Sequence, residues 1–401
     1  MAKHDHRPAS NHHPRGVIAV QVGVMLTVLL GVAALTVDVG QMYAARSELQ
    51  RAADAAALAG ASAYTTEEMM MVRMAKGGTD TLALIRGYAQ ARAQEMSSEN
   101  NTLGAPTLVD AQDITPGWLN VYSATEPIVA NPDPTKYNAV RVVARRQEHS
   151  GPNGPVPLFF APILGKFVTD ASASAVAVFD DRVSGFDPAA PGAANLLPFT
   201  ISEKAYYSEL ASGSDSYSYD DNSGAVSSSP DGIREIRLYP YPLSGSGYTE
   251  GDGNFGTLNI GSTGQGAAYE TNQILNGVSP ADIQSEIGTS VPTFYDVDGS
   301  QVTYDITGSP GLEATLKAPI SQIKGQVIGF FLHTNVVLSG SNATYTVTAL
   351  RFGRVMDIRL TGPPHQRGFF VQPVAYTGSG VHIDPEAPST GGQVGLLVLA
   401  R

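Results

Sequence analysis

Four histidines near the start, His4, His6, His12 and His13, are spaced as a flexible chelate for a divalent cation would be. They lie in a short polar tail, and such tails are ordinarily solvated without holding a metal. Asp296-Val297-Asp298-Gly299-Ser300 sets two carboxylates beside a glycine turn, as a calcium loop does. The remaining EF-hand spacing and a closing glutamate are missing, and an Asp-Gly hairpin turn between 292–295 and 301–306 accounts for the pattern. Asp215, Asp220, Asp221 and Asn222 form a second acidic loop able to bind calcium weakly, read here as solvated. Ser321-Gln322-Ile323-Lys324 has the spacing of a serine nucleophile and its lysine base, yet the companion Ser-Asp-Asn and Lys-Thr-Gly elements are absent. No Gly-x-Ser-x-Gly elbow occurs, and Gly165-Lys166 lacks the upstream glycine of a phosphate loop. His149, His333, His365 and His382 are isolated along the chain. The sequence names no catalytic residue, no metal site and no cofactor.

The dominant physical signal is apolar. Residues 17–37 carry no charge, and these 21 residues rise about 32 Å as a helix, enough to cross the hydrocarbon core of a bilayer. Lys3, Arg7 and Arg15 precede the run, whereas Asp38 opens its far side and the next basic residue is Arg46. The bias of positive charge places the tail in the cytoplasm and nearly everything after Val37 outside it. A cleaved signal peptide using Val32 and Ala34 is the rival reading, but the apolar run exceeds the roughly 7–15 residues of such segments.

Composition bounds the rest. The chain has 401 residues, 42% of them hydrophobic, enough for one or two real cores. The formal net charge is -12, which argues against nucleic acid or anionic lipid as a partner. Without cysteine, packing alone must supply stability even in an oxidising compartment. Plentiful Gly (42) and Pro (26) fit many turns and strands better than a helical bundle.

Helical spacing continues past the apolar run. Leu35, Val39, Met42, Leu49, Ala53, Ala56 and Gly60 recur on one side of 38–63, with Arg46, Glu48, Gln50, Arg51 and Asp54 opposite, Glu48 and Arg51 placed to pair. Gly40, Ala45, Leu49, Ala52, Ala53, Ala56 and Gly60 would let another helix approach closely, with Asp38 and Asp54 fixing its orientation. Thr65 or Thr66 with Glu68 starts a second helix through 69–74, Gly77 and Gly78 interrupt it, and Thr79 or Asp80 caps a third through Met96. Strands are expected at 107–113, 118–123, 139–145 and 171–179, with 154–167 a proline-broken short helix or loop packed on that sheet. A small-residue stretch at 184–194 reads as a linker. Beyond it, strands at 233–239, 256–260, 301–306, 326–334, 343–353, 356–361, 369–376 and 395–399 and short helices at 272–275 and 280–287 suggest a sandwich-like β domain.

The order Arg15-Gly16-Val17-Ile18-Ala19-Val20, apolar span, Val37-Asp38-Val39-Gly40-Gln41-Met42-Tyr43 and Leu49-Gln50-Arg51-Ala52-Ala53-Asp54-Ala55-Ala56-Ala57-Leu58-Ala59-Gly60-Ala61 resembles the TadE/TadG-like family of pilus-assembly proteins. A weaker likeness runs through 138–142 and 155–160, and a loose one to larger members through 253–256 and 258–261. The resemblance implies an inner-membrane protein with its bulk outside the cytoplasm, associated with Flp (tight adherence) pili and their secretion machinery. Two departures stand out. Asp215-Ser216-Tyr217-Ser218-Tyr219 lacks the serine offsets of the von Willebrand A metal motif many TadG-like proteins carry. Gln21 replaces the glutamate that prepilin-like relatives carry five residues after a cleaved glycine, here Gly16, which favours a permanently anchored accessory subunit.

The expected architecture is α+β: cytoplasmic tail 1–16, transmembrane helix 17–37, helical stalk 38–103, small α+β domain 104–183, linker 184–194 and β-rich domain 195–401. The expected role is non-enzymatic, with the inner membrane and other pilus-assembly proteins, or a second copy, as partners through the stalk helix, and no nucleic acid. A membrane-tethered carbohydrate- or surface-binding module and an anchored hydrolase are the alternatives.

Overall fold

The helix α1 (Arg15–Ala61) is unbroken over 47 residues, about 70 Å, because neither proline nor paired glycines interrupt its hydrogen-bond ladder. The structure is a computed structural model and describes residues 15–75, 79–120, 127–129, 133, 136–148, 153–239, 254–261, 266–339, 342–362 and 367–400. Two helices follow, α2 (Glu67–Ala75) and α3 (Thr79–Glu99). The Thr66 hydroxyl accepts the Met69 N–H at 3.3 Å, the cap the sequence expects of α2. Gly77 and Gly78 lie outside the described residues.

The main strands, in chain order, are β1 (Ile114–Gly117), β2 (Ala139–Arg146), β3 (Val156–Pro157), β4 (Val168–Thr169), β5 (Ala171–Asp180) and β6 (Val183–Phe186). Next come β7 (Asn195–Ser202), β8 (Ile236–Tyr239), β9 (Phe255–Leu258), β10 (Tyr304–Pro310), β11 (Val327–Ser339) and β12 (Asn342–Arg359). Then β13 (Gly368–Pro373), β14 (Val381–Ile383) and β15 (Leu396–Leu399) complete the set. Short helices α4 (Glu203–Ser212), α5 (Ala267–Asn276), α6 (Pro280–Ile287) and α7 (Lys317–Gln322) lie among the later strands. The fold is mixed α+β with a β-rich C-terminal part.

The first sheet has the order β15-β5-β2-β1, all antiparallel, and α1 and α3 cover one face of it. The alternation in β5 turns Ala173, Ala175 and Ala177 toward the same core as Ala53, Ala56 and Ala57 of α1. Small residues on both surfaces bring helix and sheet close together. Residues 38–61, the first part of the helical stalk expected over 38–103, are thus the central helix of this unit.

The second sheet has the order β8-β13-β12-β10-β9-β7-β11, and β11 also pairs with β12. That extra pairing closes five strands into a ring instead of the two facing sheets of a sandwich, leaving fewer free edges. Residues 343–353 and 356–361, expected as two strands, are one long strand, β12, because nothing but a register shift near Val355 marks the break. Cores lie on both faces of this sheet, one with Phe199, Phe330 and Val355, the other with Phe186, Tyr345 and Phe352.

Two expected boundaries change. Residues 184–194 do not form a plain linker: β6 pairs with β14 and Phe186 is buried against Phe352, ring centroids 5.1 Å apart. Nor is 195–401 self-contained, since β15 returns to pair with β5, Leu397 opposite Phe179 and Leu399 opposite Ala177. Residues 107–110 are irregular and 111–113 form a 3-10 turn in place of an expected strand. Of 118–123, Trp118 makes an isolated bridge to Val129, and 121–123 lie outside the described residues.

Candidate functional site

The helix α1 changes environment at Asp38. Every described side chain from 18 to 37 except Ala34 is exposed, Met25 by 71% and Leu29 by 65%. Thr27 and Thr36, polar residues within this apolar run, donate their hydroxyls to the carbonyls of Gly23 and Val32 four residues back, so no hydroxyl hydrogen is left without an acceptor. This segment is long and apolar enough to cross a membrane.

Below Asp38 one side of the helix is covered by the chain itself. Ala45, Leu49, Ala52, Ala53 and Ala56 have no exposed surface and Gly60 is buried. The close-approach face is therefore used, but against the protein's own sheet and α3 and not against a partner helix. Gly60 illustrates the tightness: a Cβ there would lie 3.0 Å from Val140 Cγ1 and 3.1 Å from the Ala89 carbonyl. Gly60→Val is expected to lower stability by about 1–3 kcal/mol, read in the thermal unfolding of the detergent-solubilised chain. Gly40, by contrast, is exposed with open space around it, so it approaches nothing.

The charged positions are engaged locally. Asp54 accepts from Gln50 Nε2 at 2.8 Å, within one helical turn, and Gln50 also donates to the Ser174 carbonyl of β5. Glu48 accepts the Leu103 N–H at 2.7 Å, the role expected for Arg51 falling to a distant turn. Lys3 and Arg7 lie outside the described residues, and Arg15 begins α1.

Asp38 is the most organised polar group of the helix. It is 4% exposed, and its carboxylate accepts the N–H of Phe159 (2.7 Å), Phe160 (3.1 Å to Oδ1 and 3.2 Å to Oδ2) and Ala161 (2.6 Å). Burial favours the neutral acid, but the three backbone donors together outweigh it and hold the carboxyl below its ordinary value. One turn on, Gln41 Nε2 donates to the Pro157 carbonyl at 3.1 Å. Asp38 and Gln41 thus pin a hairpin, β3–β4, whose tip is 158–167. The tip was expected to pack on the sheet; instead Phe159, Ile163, Leu164 and Phe167 are 65–88% exposed.

The other candidates resolve into structural roles. Asp296-Val297-Asp298-Gly299-Ser300 is a hairpin turn closed by the Tyr295–Gln301 bridge, with Asp298 accepting the Ser300 N–H. Asp215 accepts the N–H groups of Asp231 and Gly232, Asp220 accepts the Asn222 N–H and the Ser223 hydroxyl of its own turn, and Asp221 faces Arg354 at 3.9 Å. Nearby Glu235 is 1% exposed, and burial, aided by Asp215 and Asp231 and opposed by the Ser216 and Tyr217 N–H groups, pushes its pKa up to about 7. Lys324 pairs with Asp357 at 2.9 Å while Ser321 donates to the Lys317 carbonyl, so the two do not act on each other. His333 bonds Thr200 at 2.9 Å inside the second sheet, His382 lies in β14, and His149, His365 and the N-terminal histidines lie outside the described residues. Among the described residues no three His, Asp or Glu side chains gather as a metal site requires.

A cleft of about 690 Å3 opens at the end of β5, between α2, α4 and the segment 387–393, lined by Arg73, Trp118, Lys136, Asp181, Arg182 and Thr390 among others. Arg73 donates to the Tyr137 carbonyl and lies 5.6 Å from the Phe179 ring centroid, Arg182 pairs with Asp180, and Asp181 accepts from Ser389 and Gly392. The Asp181 bonds fasten the C-terminal segment at 389–392 beside the end of β5.

Residues 16–63 match the family described as "Putative Flp pilus-assembly TadE/G-like". The match covers α1 from residue 16 onward, both the exposed apolar half and the buried half, and ends within the 3-10 turn that follows. No curated protein and no solved structure matches the chain.

Proposed function

We propose that this protein is a non-enzymatic, single-pass inner-membrane component of Flp (tight adherence) pilus assembly. In this reading 17–37 spans the bilayer, the N-terminal tail is cytoplasmic, and both sheets lie outside the cytoplasm. The observation that carries it is the family match over 16–63 on a helix whose first half is exposed and apolar and whose second half is the core of a folded unit. The helix transmits position directly from bilayer to exported unit, since no hinge separates the two halves.

Because the inner face of 45–60 is occupied by the chain's own sheet, partners of the machinery meet the span or the outer face of α1. A photoreactive residue at Leu29 or at Tyr43, 65% and 72% exposed, is expected to capture pilus-assembly proteins in cells, identified by mass spectrometry. Capture of none, with the intact chain in the membrane, would reject the role.

A further inference from the structure

We infer that the hairpin tip 158–167 inserts into the outer leaflet of the same bilayer that α1 crosses, as a second, interfacial anchor. The inference rests on the reading of 17–37 as a membrane span. Its starting point is position. Asp38 is the first residue past the apolar run, and the tip is bonded directly to the Asp38 carboxylate through Phe159, Phe160 and Ala161 at 2.6–3.2 Å. A bilayer that covers 17–37 ends where the tip is held.

Composition fits that depth. Phe159, Phe160, Ile163, Leu164 and Phe167 are exposed by 65, 42, 84, 88 and 65%, and Lys166 is the one charge among the ten residues of the tip. Large apolar side chains are seldom clustered in water without a surface to meet. A single lysine on a flexible stem reaches back to phosphate headgroups. Tyr43, 72% exposed on α1 just beyond Asp38, is the kind of aromatic residue found at that level.

The backbone fits as well, and this favours lipid over a partner's surface. A segment entering a low-dielectric layer must satisfy its own N–H groups. Leu158 donates to Phe167, Ile163 to Phe160, Gly165 to Pro162 and Lys166 to Ala161, while Pro162 has no N–H. The three N–H groups at the start of the 3-10 turn are those taken by Asp38. Gly165, at φ 82°, closes the turn in the left-handed region where a side chain would be strained.

The absence of cysteine allows single-site labelling of the full chain. Ile163→Cys, Leu29→Cys and Val297→Cys, each carrying an environment-sensitive fluorophore, are reconstituted in phosphatidylethanolamine and phosphatidylglycerol vesicles. Each is challenged with lipid-borne nitroxide and with aqueous iodide. Nitroxide quenching at 163 comparable to that at 29, with 297 answering only to iodide, is the expected result. Iodide quenching at 163 while 29 answers to nitroxide would overturn the insertion and leave the anchor standing. Protection of 163 from both quenchers would place the tip against protein and would equally overturn it. Failure of 29 to answer to nitroxide would remove the anchor reading itself, and the insertion with it.

Discussion

Ala56→Phe is expected to unfold the first unit, or to weaken it by about 3 kcal/mol or more, because Ala56 has no exposed surface and faces the alanine side of β5. A phenyl ring there must separate α1 from the sheet along a helix too stiff to bend locally. Ser47→Phe, on the exposed side of the same helix, is expected to change stability by no more than about 0.5 kcal/mol. Thermal unfolding of the two full-length variants in detergent separates these outcomes. Equal melting temperatures would mean that Ala56 does not face the chain's own sheet.

Asp38→Asn is expected to release the hairpin tip while leaving α1 in the membrane. The amide keeps one acceptor oxygen but loses the charge, and its NH2 faces the backbone donors that the carboxylate accepts. The readout is hydrogen exchange at Phe159, Phe160 and Ala161 in lipid nanodiscs, where protection should fall strongly in the variant. The pH dependence follows from the direction of the shift. The folded carboxyl titrates below its unfolded value, so its contribution is fully present above the ordinary carboxylate range and is lost only as pH falls through the depressed folded value. Protection in the unaltered protein should therefore hold from neutral pH down past about pH 4 and then collapse, whereas Asp38→Asn should lack that acid step.

Periodicity carries local structure well here. The apolar run, the start of α2, α3 and most of the later strands follow from residue types within each segment. The small-residue stripe on α1 is a different matter, because a row of Ala and Gly states that something comes close without stating what. The complementary row was present in the alternating Ala173, Ala175 and Ala177 of β5, but pairing them requires a contact across more than a hundred residues. The return of β15 to β5 is longer still, and 395–399 reads equally well as a strand of either sheet. Residues 184–194 looked like a linker on glycine and proline content, yet Val183 and Phe186 bring enough apolar surface to the second core to order its start.

The hairpin tip shows the same limit from the other side. Its apolar residues suggested packing on a sheet, since apolar side chains ordinarily seek a core. Nothing local says that Asp38 would hold the tip away from that core. The signal that would have found it is the pair Asp38 and Gln41, one turn apart just past the apolar run, together with a proline-broken apolar segment rich in backbone N–H groups needing an acceptor.

The central claim is that one helix serves as membrane span above Asp38 and as the core of a folded unit below it. Single cysteines at Leu29, Tyr43, Ala53 and Ala56, probed with a water-soluble maleimide on the purified full chain in dilute micelles, test it most directly. Tyr43→Cys should label rapidly, Leu29→Cys should be shielded by detergent, and Ala53→Cys and Ala56→Cys should label only after denaturation. Labelling at 53 and 56 as fast as at 43 would contradict the account and return this face of the helix to a partner.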